Sequence, residues 1–282
     1  MGFFENARIL IGTNFNLPHQ ASSKLRLLWC YLQLHLKMNL LAPRKHVSEK
    51  ILDFTVEAFN RPSITLLFDE IFICNEYHTP ELGTSQPVII DAGANIGLAT
   101  LYFKWRFPHS TVYAFEADPH TFTALEKNIS NNKLSNAFAF NCALSNEDKD
   151  VSLYVEKGEA GSGRTSILEG RNVHGNVLHV PGKRLSSFLE EQKITSVDVI
   201  KMDVEGAEWL VVADLVAHNV LPKIKRFIIE YHHRTGAEKS KLADFLNIFE
   251  KNGFEYNINA RFTPSSGEGS VQDILIYLYR PS

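Results

Sequence analysis

The stretch Val88-Ile89-Ile90-Asp91-Ala92-Gly93-Ala94-Asn95-Ile96-Gly97 limits what this chain can fold into more than any other. Three consecutive branched apolar residues suit a strand buried on both faces. Asp91 ends that run, and Gly93 and Gly97 lead into Ile96, Leu98, Leu101 and Tyr102, the spacing of a helix packed back on a sheet. Strand, glycine turn and helix together let a ligand approach bare backbone at the carboxyl end of the strand. The spacing is Asp-x-Gly-x-x-x-Gly, which differs from the Gly-x-Gly-x-x-Gly of dinucleotide sites.

A carboxylate beside the turn repels a pyrophosphate and suits a cationic or amine-bearing ligand. S-adenosylmethionine carries a sulfonium and an α-amino group, so it fits this turn better than a nicotinamide dinucleotide, whose oxidoreductase chemistry stays as a competing reading. The next strand is expected at Thr111-Val112-Tyr113-Ala114-Phe115, with Glu116 at its end, 23 residues after Gly93. An acid there can accept both ribose hydroxyl hydrogens.

From Val88 onward, strands and helices alternate, as in a doubly wound α/β sheet. Asp118-Pro119 caps a helix that runs to Asn131-Asn132, and Ala137–Asn141 is the third strand. Val151–Val155 reads as an antiparallel excursion with Asn176–Val180 as its return. The Gly-, Ser- and Arg-rich stretch 158–175 between them is a loop over the sheet edge, in which Arg164-Thr165-Ser166 could bind a polar substrate. Val197–Asp203 and Phe227–Tyr231 are the fourth and fifth strands. Glu238–Lys251 is a helix, and Phe254–Ile258 with Ile274–Leu278 form a closing antiparallel pair.

Ahead of this, 1–84 reads as a mostly helical N-terminal cap: a helix over 22–41, a short strand near Phe54–Phe59, and a helix from Pro62 to about Cys74. The remaining 85–282 form the catalytic domain. The segment Leu25–Leu41 is apolar but carries Arg26, Gln33, His35 and Lys37, too short and polar to span a bilayer. A core or interface helix is expected there, with amphipathic membrane contact over 22–41 as the alternative. A net charge of −3 without a basic block excludes a nucleic-acid footprint. Cys30, Cys74 and Cys142 lie too far apart for a paired framework or zinc site and fit a reducing, cytoplasmic setting, as does the lack of a signal-peptide pattern after Met1.

Three stretches resemble the FkbM-type S-adenosylmethionine-dependent methyltransferases: Asp91–Gly97, Phe115–Pro119 and Ile200-Lys201-Met202-Asp203-Val204-Glu205-Gly206-Ala207-Glu208. The third is the discriminating piece, and Tyr77, Asn141–Ser145 and Glu230-Tyr231-His232 are further matches. The resemblance covers about 75–280. It implies a Rossmann-like class I fold with a mostly parallel seven-stranded sheet and an antiparallel last strand. It also implies O-methylation of a small hydroxylated acceptor, a sugar, glycan or secondary metabolite. Cofactor contacts would come from Tyr77, Asp91, Gly93, Ala94, Asn95, Gly97, Glu116 and Asp203. Where many relatives carry an acid after the third strand, this chain has Cys142, so adenine would be read by backbone at Cys142-Ala143.

Methyl transfer to a hydroxyl is a one-step displacement that needs alignment and a destination for the proton. Asp203, Glu205 and His232 are the catalytic candidates. Asp203 closes the fourth strand, with Lys201 on the same face as a partner. Glu205 projects from the following turn. His232 is the side chain whose ordinary pKa best suits a general base; His233 points the other way. The same three residues could instead hold Mg²⁺ or Mn²⁺ and acidify the hydroxyl directly. A module that binds the cofactor without catalysing transfer is the alternative outside enzymes.

Overall fold

The computed structural model describes residues 20–155, 165–166, 176–233, 241–260 and 272–281. The run of branched residues forms β3 (Val88–Ala92), near the centre of a seven-stranded sheet. Its members in spatial order are β13 (Glu255–Ala260), β14 (Gln272–Tyr279), β12 (Arg226–His233), β11 (Val199–Met202), β3, β4 (Thr111–Glu116) and β5 (Ala137–Asn141). β14 alone runs against its neighbours; β11, β12, β3, β4 and β5 pair in parallel. The Rossmann-like α/β architecture expected from the alternating pattern is therefore present.

The two-residue period of the strands sorts side chains between the two faces. Ile90, Ile200 and Ile229 enter one core, with Phe245 and Phe249 of the helix Leu242–Lys251. Ile89, Val199 and Ile228 enter the other. Two residues further along each strand, that second face carries Asp91, Lys201 and Glu230, and then His232, so alternation alone lines ionisable groups along the carboxyl ends.

The second face is covered by the N-terminal elements. These are α1 (Gln20–Leu40), the hairpin β1 (Val47–Ile51) and β2 (Phe54–Ala58), and α2 (Arg61–Phe68), extended by a π turn over Asp69–Ile73. Leu27, Tyr31, Val56, Ile64 and Phe68 belong to the same core as Leu101 and Tyr102 of α3 (Leu98–Arg106). On α4 (Pro119–Asn131), Asn128 hydrogen-bonds the backbone N–H and C=O of Glu57 on β2, at 2.7 and 3.0 Å. Asn132, just after α4, does the same for Thr55, both at 2.8 Å. These side chains satisfy an edge that a third strand would otherwise pair.

Several boundaries differ from the sequence expectation. Strand β1 was not anticipated, because Val47-Ser48-Glu49-Lys50-Ile51 reads as polar. Its Glu49 is buried, and Lys37 (2.6 Å) and Arg61 (3.0 Å) compensate its charge. Among the described residues, the N-terminal region is thus mostly helix with one hairpin added. Strand β12 runs through His233, which places His232 inside the sheet and not after it. The excursion Val151–Val155 pairs with both Thr165–Ser166 and Asn176–Val180 in a separate three-stranded sheet. The rest of the 158–175 loop, Arg164 included, lies outside the described residues.

Candidate active site

A cleft of about 240 Å³ opens at the carboxyl ends of β3, β4, β5 and β11. Its walls include Tyr77, Gly93, Asn95, Glu116, Cys142, Ala143, Asp203 and Glu205, which brings together eight of the expected site residues.

The glycine turn is held by backbone and by one buried ion pair. Gly93 has φ +75°, and a Cβ there would fall 1.7 Å from the Asp203 carbonyl oxygen, so no other residue fits. The Gly93 and Ala94 amides donate to the Phe115 carbonyl at 3.0 and 2.8 Å. Gly97 is also left-handed, with Leu125 packed where a Cβ would stand. Asp91 is fully buried and does not line the cleft; it accepts from Thr100 Oγ1 at 2.7 Å and lies 3.3 Å from Lys201 Nζ. Lys201 donates onward to the Gly93 carbonyl at 2.6 Å. Asp91 therefore acts on the turn through Lys201, instead of facing a ligand amine as its position suggested. Lys201 sits 4.0 Å from Asp203, so its closer carboxylate partner is Asp91. It also lies 5.3 Å from the centre of the Tyr77 ring, so that ring already faces a resident cation.

Glu116 occupies the expected place. Its two oxygens accept from the Asn95 and Asp118 amides at 2.8 and 2.9 Å, which fixes the carboxylate with lone pairs left over. Burial pushes its pKa up to about 7, against those two hydrogen bonds, which favour the charge. Cys142 and Ala143, expected at the adenine, both line the cleft; the Cys142 amide donates to the Phe140 carbonyl (3.2 Å) and the Ala143 amide to the Pro181 carbonyl (2.9 Å). Burial pushes the Cys142 thiol up to about 11 and keeps it neutral.

The opposite wall is acidic. Glu205 adopts φ +54°, a left-handed conformation that costs a branched-Cβ-free residue about 1–2 kcal/mol, and Gly206 follows at +105°. This reversal turns the Glu205 carboxylate back toward β12. There His232 Nε2 lies 3.3 Å from Glu205, 3.8 Å from Asp203 and 3.9 Å from Asp273. Its Nδ1 meets Glu208 Oε1 at 2.7 Å. Burial disfavours the imidazolium, but Glu208, Asp203 and Glu205 together outweigh it and raise the His232 pKa to about 10. These acids favour the imidazolium, a direction that works against the neutral general base that its ordinary pKa suggested. His233 sits on the other face beside Tyr231.

Three further acids in this region carried no assigned role in the sequence. Glu208 lies in the quoted third motif, and Glu230 shares a strand face with His232 two residues on, so alternation along β12 was the available signal. Asp203 and then burial push Glu230 up to about 9. Glu70, on the π turn, is pushed up to about 8 by burial and by Glu76. Both line the cleft. Its wall at Glu70, Asp203, Glu205 and Glu230 thus holds more carboxylates than can all ionise, which suits a cationic guest.

Comparison with known proteins decides the family. The methyltransferase FkbM domain matches residues 91–256. The chain belongs to the FkbM methyltransferase family. Among FkbM relatives and other methyltransferases, it is 33% identical over 181 residues to "Methyltransferase 1" of Beauveria bassiana, covering 58% of this chain and 72% of that protein. It is 27% identical over 228 residues to the 31-O-demethyl-FK506 methyltransferase FkbM of Streptomyces tacrolimicus, covering 71% and 85%. To the 2-O-methyltransferase NoeI of Sinorhizobium fredii it is 26% identical over 157 residues, covering 51% and 63%. Within the matched residues, the run Ile200–Glu208 supplies Lys201 to the glycine turn and Asp203, Glu205 and Glu208 to the acidic wall.

Proposed function

We propose that this FkbM-family chain is an S-adenosylmethionine-dependent O-methyltransferase acting on a hydroxyl of a small acceptor, a sugar, glycan or secondary metabolite. The observation that carries the reading is the pairing of Glu116 with an acidic wall across one cleft. Two relatives whose names specify transfer to oxygen support the choice of hydroxyl.

The residues fit the methyl donor. Gly93 offers bare backbone at the cleft, Glu116 offers a fixed carboxylate for ribose hydroxyls, and Asp203 brings a carboxylate whose Oδ1 is buried without a hydrogen bond. When bound, S-adenosylmethionine supplies a methyl group on a positively charged sulfur, and transfer moves the C–S bonding pair to sulfur. The acidic wall holds the cationic donor in a partly dry site and then meets the positive charge that develops on the acceptor oxygen until its proton leaves. The acceptor hydroxyl oxygen forms the new bond to carbon, and its proton passes to Asp203 or Glu205. In this reading the protonated His232, anchored by Glu208, holds those two carboxylates in place, and alignment supplies up to roughly 7–11 kcal/mol of the rate gain. The three cysteines form no disulfide and fit the reducing cytoplasm, where we place the enzyme.

A second reading keeps the same residues and adds a divalent ion. Asp203, Glu205 and His232 offer ligand atoms within 4.8 Å of one another, a mixed oxygen and nitrogen set suited to Mn²⁺ or Mg²⁺. The ion would acidify the acceptor hydroxyl, and His232 would lose its proton to bind it.

Titration calorimetry with S-adenosylmethionine tests the first reading: micromolar binding, weakened in Glu116→Ala, is expected, and no heat at high micromolar donor would defeat it. Turnover that persists after chelation removes the metal reading and leaves the first intact.

A further inference from the structure

Helix α1 has two apolar faces. Leu27, Cys30, Tyr31 and Leu34 are buried against the protein. Leu25, Trp29, Leu32, Leu36 and Leu40 lie about 180° away around the helix and are exposed by 68, 61, 39, 60 and 72%. Such a stripe is larger than the scattered apolar residues of an ordinary surface. Lys24 and His35 flank it on one side, and Arg26, Gln33 and Lys37 on the other.

The charge around the stripe points to what covers it. No acidic residue occurs from Gln20 to Ser48, although the whole chain carries −3. Arg26 and Lys37 are paired with Asp53 and Glu49, while Arg44 and Lys45, just beyond the helix, are exposed. A second copy would bring an equally basic helix against this one, at an electrostatic cost. An anionic bilayer surface meets both features: leucines and a tryptophan enter the headgroup boundary, and basic side chains reach out to lipid phosphates. No helix among the described residues is long and apolar enough to cross a membrane, so contact is from the side.

We infer that α1 docks this enzyme flat on anionic lipid surfaces through the Leu25, Trp29, Leu32, Leu36 and Leu40 stripe. The neighbouring helix α2 packs against α1 and carries Leu66, itself exposed by 59% and part of the cleft wall. One helix spacing, about 8–10 Å, therefore separates the docked helix from the one that borders the cleft.

The test is flotation of the full chain with vesicles of phosphatidylcholine alone or mixed with phosphatidylglycerol. No methyl donor is present, so the result does not depend on the catalytic reading. Binding to the mixed vesicles is expected. It should weaken as salt rises, and Leu32→Glu or Leu36→Glu should each lower it roughly tenfold or more. Both positions are exposed, and an unchanged circular dichroism melt verifies the fold. Trp29 emission should shift to the blue on vesicle addition, a change missing in Trp29→Phe. Three results would overturn the inference: no flotation, equal flotation of the glutamate variants, or a Trp29 signal already blue-shifted and unmoved by lipid. The last would mean the stripe is covered by the chain itself. Dimerisation abolished by Leu32→Glu, without flotation, would assign the stripe to self-association instead.

Discussion

Asp91 and Glu116 end neighbouring parallel strands and look equivalent in one dimension, yet the fold gives them opposite tasks. Asp91 is sealed beneath the turn by Lys201 and Thr100. Glu116 opens into the cleft, with its charge held by two backbone amides. The first carboxylate stabilises the cradle and the second meets what lies in it. The difference is one of depth along a shared face: Asp91 is in register with Lys201 and with Ala114, beneath the turn, whereas Glu116 stands two residues beyond Ala114 at the last residue of its strand, where the chain turns away.

The largest effect expected is at the turn both acids serve. Gly93→Ala should abolish donor binding and lower soluble yield, because the added carbon would overlap the Asp203 carbonyl; calorimetry and a melting curve would check this. Asp91→Asn should cost about 3–5 kcal/mol of stability by leaving Lys201 buried without its counter-charge. Glu116→Ala should instead cost less stability, about 1–3 kcal/mol for the amides it leaves unpaired, and weaken the donor about 10- to 100-fold. If the two variants lose stability and affinity in the same ratio, the division of labour is wrong.

Charge pairing at His232 gives a subtler test. Its raised pKa means the imidazolium stabilises the fold fully below an unfolded value near 6.5, and that contribution is lost as pH rises through about 10. Glu208→Gln should move the His232 titration, followed by NMR of the metal-free protein, down toward its ordinary value and flatten that alkaline loss. The smallest effect belongs to Glu116. With its pKa raised to about 7, donor affinity should fall several-fold between mildly alkaline and mildly acidic pH as the carboxylate takes up a proton. An affinity flat across neutral pH would show that Glu116 stays ionised.

The cofactor half was the more legible because it is made mostly of backbone and local order. Gly93 and Glu116 sit in one βαβ unit, where strand length and turn chemistry leave little freedom. The acidic half was legible only in membership. Asp203, Glu205 and His232 could be named as a group, but the protonation of His232 depends on Glu208, 24 residues away in sequence. Likewise β1 could not be read, because its central Glu49 is acceptable in a core only with Lys37 and Arg61 beside it.

Sequence by itself determined the alternation of strands and helices, the glycine turn, and the family motif at Ile200–Glu208, since these rest on periodicity and on residues that few others can replace. Tertiary structure alone decided which carboxylate faces the cleft, which is tied to a buried lysine, and which histidine is ringed by acids. Those outcomes follow from distances of 3–4 Å between groups far apart in the chain, and Coulomb energy at such range in a poorly hydrated site exceeds any local preference.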